Sequence, residues 1–523
     1  MTPKAARKSS RSYRVQRPHQ PHSLLLLLLL MPRLRAQNAV ISDGLESVQD
    51  LAAIENPIDL YHSGCHRAVD KNDTLRFLVL DAGSTGTRAA LHEFFVERTP
   101  KSPNGPLKLR HLRLRRYRRK PGLSAFQHFP DRSRDQVNAL LAAAAADVPE
   151  PQRAVTCVAL RATAGLRLLD SGSRRRILRV VRDTLATSAA FLAPDIDSAK
   201  LLSGPEEAKF AWLSVNYMLG KLDEANTISE TVPVLELGGG SAQVAYEYPD
   251  GELSAPLDRA SSSKATLTGR RIRARSYLGL GVRESVLRFV GYRNGKSAGT
   301  GVSKKAYNSS CIAANASLNF SFGSVTLQLE GNQRDNSSGS TAATVKKCFA
   351  QAKDLVQQVK VRTEPGIAKG EKTVYAISSI YYLVKYLKKS SPVPGTRVTY
   401  SDSVCPSEPR GDCKAYSISA GDIADNAAAV CRNPPDQGPY TPYYCINLSV
   451  LSAMLEQMGL PDSGTVTALG GSDNLGWTLG FSLDALLQSA AASAATLTAK
   501  ATAAAVSMAT VLSMLVPARI AQL

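Results

Sequence analysis

Aromatic residues are scarce in this chain, 6% of 523, and acids are outnumbered by bases, 44 against 64. The resulting formal charge of +20 points to polyanionic partners or substrates. Few rings stand where the bases crowd. Residues 107–120 alternate leucine with Lys108, Arg110, Arg113, Arg115, Arg116, Arg118, Arg119 and Lys120. That alternation predicts a half-exposed strand with a cationic face, either a solvated surface or a polyanion contact. Aromatic interleaving is thin, which argues against a stacking platform for single-stranded nucleic acid, so no nucleic-acid partner is expected.

Long hydrophobic runs are missing as well. Leu24–Leu30 with Met31 follows Lys4, Arg7, Lys8, Arg11, Arg14 and Arg17, the pattern of a signal peptide or signal anchor in residues 1–36. The block is shorter than the about 20 residues of a comfortable bilayer span. The tail from Leu486 to Val516 is Ala-rich and carries one charge, Lys500. A packed terminal helix, a membrane span and a lipid-anchor signal all fit it.

What is present begins with length: 523 residues suffice for two domains. Six Asn-x-Ser/Thr sequons, at Asn72, Asn308, Asn315, Asn319, Asn336 and Asn447, favour a lumenal fate. Four of them mark an exposed, glycosylated insertion at about 295–345. Of the eight cysteines, Cys311 and Cys348 bracket that insertion, Cys405 and Cys413 a polar turn, and Cys431 and Cys445 a Pro-rich loop, giving three candidate disulfides. Cys157 lies in the apolar run Val155–Leu160 and is expected to be a buried free thiol.

The stretch Val232–Tyr246 carries the strongest signal. An apolar run meets Glu236, then Gly238, Gly239 and Gly240, and a second strand-like run follows through Ser241 and Gln243. Glycines let the backbone turn tightly, and successive N–H groups in such a turn form an anion-binding nest. Residues Phe77–Arg88 repeat the design with Asp81 and the turn Gly83-Ser84-Thr85-Gly86. Repetition predicts two related halves, each presenting a phosphate cradle to a shared cleft. Neither loop has the Gly-Lys-Ser/Thr of a Walker A motif or the Rossmann spacing. Farther on, Ser203 is a candidate N-cap for a helix opening with Glu206 and Glu207.

Together these stretches resemble the apyrase conserved regions of the nucleoside triphosphate diphosphohydrolases, which include ecto-apyrases and Golgi diphosphatases. Five motifs stand in the family's order: Asp81–Arg88, Ala162–Arg167, Ser203–Gly220, Leu235–Gln243 and Gly470–Gly480, with Pro121–Phe126 and Ser276–Gly279 as secondary matches. The resemblance covers about residues 75–482. It implies an α/β fold of two actin-like (ribonuclease H-like) lobes with the active site between them. Lobe I would span 72–200, with 476–523 packed back on it, and lobe II 201–475.

By the same resemblance, Ser84, Thr85, Gly86, Thr163, Gly238, Gly239 and Gly240 bind phosphates. Glu207 is the general base, and Ser241 and Gln243 hold the water it deprotonates. Asp81 and Glu236 hold Ca²⁺ or Mg²⁺ through water, while Tyr381 and Tyr382 provide an aromatic wall for the nucleobase. The substrates implied are nucleoside di- and triphosphates, hydrolysed in the secretory pathway, in the Golgi lumen on a membrane anchor or after secretion. The chain departs from the family at Glu236, usually Asp, at Ala208, usually Gly, and at Lys209, usually apolar. The opposite base wall aligns near Val450, which cannot stack, so altered base selectivity is expected. Two rival readings are an exopolyphosphatase-like phosphohydrolase and a non-catalytic polyanion-binding ectodomain.

Overall fold

The computed structural model describes residues 74–97, 108–188, 190–193, 198–222, 230–248, 262–264, 270–292, 306–312, 316–322, 325–331, 338–368, 370–404, 413–433, 441–471 and 475–486. The leader, the sequons at Asn72, Asn315 and Asn336, residues 472–474 and the tail beyond 486 lie outside them. Among the described residues no helix is long and apolar enough to cross a membrane.

The first sheet is built from Thr74–Ala82 (β1), Thr87–Glu97 (β2), Lys108–Arg119 (β3), Cys157–Ala162 (β4) and Ala199–Leu201 (β5), in the order β3-β2-β1-β4-β5. Its two central strands are parallel and apolar, as befits strands covered on both faces. The antiparallel meander β1-β2-β3 lies to one side.

The second sheet begins with Val234–Leu237 (β6), Ser241–Glu247 (β7), Ser262–Lys264 (β8) and Arg271–Leu278 (β9). A separate three-stranded sheet follows, from Ala306–Ser309 (β10), Ser317–Phe322 (β11) and Val325–Gly331 (β12). The chain then returns to the second sheet with Val374–Ser378 (β13), Thr399–Ser401 (β14), Lys414–Ser419 (β15) and Thr465–Gly470 (β16). Its central order is β9-β7-β6-β13-β16, with β15 and β14 beyond β16 and β8 beyond β9. Both sheets thus place their first strand centrally, their second and third antiparallel on one side, and their fourth and fifth on the other. The repeated acid–glycine loop of the sequence is the visible part of this repeated topology.

Helices Arg132–Ala145 (α1) and Ser171–Thr187 (α2) cover the first sheet through Val137, Leu140, Leu141, Ile177, Val181 and Leu185. Helix Gly204–Met218 (α3) is buried along nearly its whole length. Its Trp212 and Leu213 share one core with Phe77 and Phe94 of the first sheet, Ala245 and Ile272 of the second, and Phe481 of the helical residues 477–486. Burying so much apolar area on one helix holds α3 fixed between the sheets. Lys209, two residues after Glu207, is buried as well, 3.4 Å from Asp484 Oδ2. The unusual lysine therefore has a buried carboxylate beside it, which compensates the cost of burying its charge.

Three expectations require correction. Cys157 is disulfide-bonded rather than free, and no described cysteine is free. The insertion is not wholly exposed: Phe320, Leu327 and Leu329 of its sheet are core residues, and Cys311 is bonded to Cys348. Asn447 is buried within Tyr444–Met458 (here α4), so it offers no site for a glycan. Cys431 is bonded to Cys445 as expected, and Cys413 is also disulfide-bonded, although Cys405 lies outside the described residues.

Candidate active site

Ser203 caps α3, and its hydroxyl accepts from the Glu206 amide at 3.3 Å while the Ser203 amide donates to Glu206 Oε2 at 2.8 Å. This capping box commits Glu206 to the helix's own first turn. Glu207, about 100° farther round the helix, turns inward and is only 6% exposed.

Its neighbours come from the β6–β7 hairpin. Ser241 and Gln243 are two residues apart on β7 and share a face. Gln243 Nε2 lies 3.1 Å from Glu207 Oε2 and 2.5 Å from Ser241 Oγ. Ser276 of β9 places its hydroxyl 3.1 Å from the same amide nitrogen. Arg167 donates to Glu207 Oε2 in a buried ion pair, and its Nη2 stands 3.2 Å from Ser241 Oγ. The sequence marked Arg167 only as the last residue of a motif; its pairing with Glu207 depends on the short helix Ala164–Arg167 meeting α3.

Asp81 is the penultimate residue of β1, and Arg88 across the hairpin places Nη1 3.3 Å from its Oδ2. Glu236 stands opposite Gln243, and its Oε1 accepts from Ser378 Oγ at 2.7 Å. Ser378 has φ 64° and ψ −123°, a strained conformation for a residue with a Cβ, where β13 gives way to the next helix.

Burial pushes Glu207 well above the usual carboxylate range; Arg167 opposes the shift and the charge on Asp81 adds to it. Burial raises Glu236 further, reinforced by Glu207 and Asp81 and opposed by Ser378 and Arg88. Asp81 is also raised by burial, against the pull of Arg88, Arg116 and Arg118. The three acids thus feel one another's charge across the site. Asp81 Oδ1, Glu236 Oε2 and Gln243 Oε1 are buried, and no described residue hydrogen-bonds to them. Such oxygens suit a hard divalent cation that keeps part of its water shell and is held through it.

The glycine loops meet across the cleft. A Cβ on Gly239 would lie 2.4 Å from Ser84 Oγ and 3.0 Å from Thr85 Cγ2. The carbonyls of Gly238, Gly239 and Gly240 accept from amides in the segment 279–284, which fixes that loop. Gly165 and Gly122 fix the other: a Cβ at 165 would sit 2.8 Å from the Ser84 Cα, and one at 122 would sit 2.4 Å from the Gly83 carbonyl. Ser84, Thr85, Thr163 and Gly238–Gly240 line the resulting cleft of about 940 Å³. Gly86 does not; it faces β3 behind the loop, and Gly83 lines the cleft instead.

The tyrosine pair divides. Tyr382 is 49% exposed and lines the cleft, whereas Tyr381 is 4% exposed and packs under it, rings 5.3 Å apart. Val450 lies in the core, while Phe322, Tyr443, Tyr444 and Trp477 also line the cleft, the Tyr444 ring backed by Tyr386 at 4.5 Å. The sequence signal for Tyr444 is the tyrosine doublet 443–444 at the start of a helix. Arg116, Arg118 and Lys120 of the basic stretch also line the cleft.

Residues 68–500 match the GDA1/CD39 (nucleoside phosphatase) family. Ectonucleoside triphosphate diphosphohydrolase 6 of Homo sapiens is 28% identical over 423 residues, 80% of this chain and 78% of that protein. Ectonucleoside triphosphate diphosphohydrolase 5 of Ailuropoda melanoleuca is 30% identical over 412 residues, 78% of this chain and 86% of that one. Among solved structures, nucleoside triphosphate hydrolases from Neospora caninum share the fold, with TM-score 0.53 and 16% identity over 86% of this chain and 97% of theirs.

Proposed function

The chain belongs to the GDA1/CD39 (nucleoside phosphatase) family and is a nucleotide phosphohydrolase, and from that premise we propose that its cleft removes the terminal phosphate of nucleoside di- and triphosphates with the help of a divalent cation. The observation that carries this is the convergence of Glu207, Ser241 and Gln243 at one point between two glycine loops.

Ser84, Thr85 and Gly83 on one side, and Gly238–Gly240 on the other, cradle the phosphates, with Thr163 beside the terminal one. Ser241 and Gln243 hold a water, and Glu207 accepts its proton at Oε1 or Oε2 as the water attacks in line. Arg167 opposes the desolvation of Glu207 and aims its carboxylate. Asp81 and Glu236 would hold Ca²⁺ or Mg²⁺ through water. When bound, the cation offsets phosphate charge and orients the group being transferred. The longer Glu236, in place of the family's Asp, is accommodated by the hydrogen bond from Ser378.

Tyr382 and Tyr444 take the nucleobase, and Tyr381 supports Tyr382 from below. Tyr382→Ala should raise KM for nucleoside diphosphates by an amount equivalent to about 1–3 kcal/mol of lost stacking, with kcat little changed. Tyr381→Phe should leave KM near wild type. Steady-state orthophosphate release checks both; an unchanged KM in Tyr382→Ala would remove the ring from the base site. The disulfides and the exposed sequons Asn308 and Asn319 support maturation in the secretory pathway, in the Golgi lumen or on the way to secretion.

A further inference from the structure

The basic strand adds something that a nucleotide does not need. Arg116, Arg118 and Lys120 alternate along β3 and its exit, so their side chains share a face, and that face is a wall of the cleft. The alternate residues Arg115 and Tyr117 turn away: Arg115 Nε lies 3.2 Å from Asp147 Oδ1, and the Tyr117 hydroxyl donates to Asp147.

Register ties the row to the catalytic centre. Arg118 stands opposite Arg88, which stands opposite Asp81, and Arg116 stands opposite the cleft-lining Ala90. At the loop end, a Cβ on Gly86 would lie 3.4 Å from Arg118 Nε and 3.6 Å from Lys120 Cγ. The row therefore starts against the first glycine loop. At about 3.4 Å per residue, it carries positive charge for about 14 Å from Lys120 to Arg116.

Arg116 and Arg118 temper the charge on Asp81, and the three cations together present more positive charge to the cleft than that one acid offsets. A nucleotide's two or three phosphates are met by the glycine loops, and its nucleoside is uncharged. A linear anion with charge repeated along its length would use the whole row. The cleft, at about 940 Å³, is at the large end for a small-molecule site.

We infer that Arg116, Arg118 and Lys120 form a second anion subsite continuing from the glycine loops, and that the chain also removes orthophosphate from the end of linear inorganic polyphosphate. This rests on the catalytic reading above, because the same Glu207 and water perform the step. The water oxygen bonds to the terminal phosphorus and its proton passes to Glu207. The bond from that phosphorus to the bridging oxygen breaks, and the electron pair stays on the shortened chain. One water is consumed and no other reactant is required.

The test gives the protein a nucleoside diphosphate, tripolyphosphate and a long polyphosphate, each with a divalent cation, and follows orthophosphate. The long chain should be hydrolysed with a higher kcat/KM than tripolyphosphate, and with a steeper fall on adding salt than the nucleotide shows. Lys120→Gln, at an exposed position outside the groups that act on Asp81, should lower kcat/KM for long polyphosphate at least about fivefold while changing that for the nucleotide less than about twofold. Nucleotide turnover in the same variant serves as the control for folding. A wild-type protein that hydrolyses the nucleotide and leaves polyphosphate intact overturns the inference, as does a variant that loses both substrates equally. Polyphosphate hydrolysis without nucleotide hydrolysis would instead overturn the nucleotide reading and leave the subsite standing.

Discussion

Glu207→Gln lowers kcat for a nucleoside diphosphate by about 10²–10⁴, the usual worth of a positioned general base, while KM stays close to wild type. The amide fills the same space and can still accept from Arg167 and Gln243, so the fold and the phosphate cradle survive. What it cannot do is take a proton from water. Glu206→Gln is the internal control. Glu206 carries the same charge one residue away, but its carboxylate is occupied by the Ser203 amide. A glutamine carbonyl can replace that acceptor, and kcat should hold. Steady-state rates for the two variants settle the register: a dead Glu206→Gln beside an active Glu207→Gln would reverse the assignment.

The second large effect concerns the cation. Asp81→Asn should raise the concentration of Mg²⁺ or Ca²⁺ needed for half-maximal activity by about 10–100-fold, the range found when groups supporting a metal are lost. The variant keeps the shape of Asp81 and removes a charge that faces the cleft with one oxygen unpartnered by any described residue. Chelation should silence the wild-type protein, and added cation should restore it. A metal titration that is identical in wild type and Asp81→Asn would detach Asp81 from the cation.

The features readable in advance were those encoded locally. Each glycine loop sits between two strands and behind an acid, so the β1–β2 and β6–β7 hairpins, and the repeated topology they begin, could be expected from short stretches. Ser203, Glu206 and Glu207 likewise declare a helix start within five residues. What was missed depends on contacts between distant segments. Tyr381 and Tyr382 are adjacent in sequence, and only the way their helix packs decides which ring faces the cleft. Tyr444 opens the helix at the cleft, whereas Val450, expected at the opposite wall and six residues farther along the same helix, lies inside the core. Arg167 and Glu207 are 40 residues apart, and nothing in either motif announces their ion pair. Lys209 looked like a departure without a cause until Asp484, 275 residues on, supplied its partner.

The most direct test of the account is hydrolysis of a nucleoside diphosphate in water enriched in ¹⁸O, with the products analysed by mass spectrometry. Attack by a Glu207-activated water on the terminal phosphorus puts one ¹⁸O into each orthophosphate and none into the nucleoside monophosphate, and Glu207→Gln forms both products far more slowly. Label in the monophosphate, or labelled orthophosphate formed by Glu207→Gln at the wild-type rate, would contradict it.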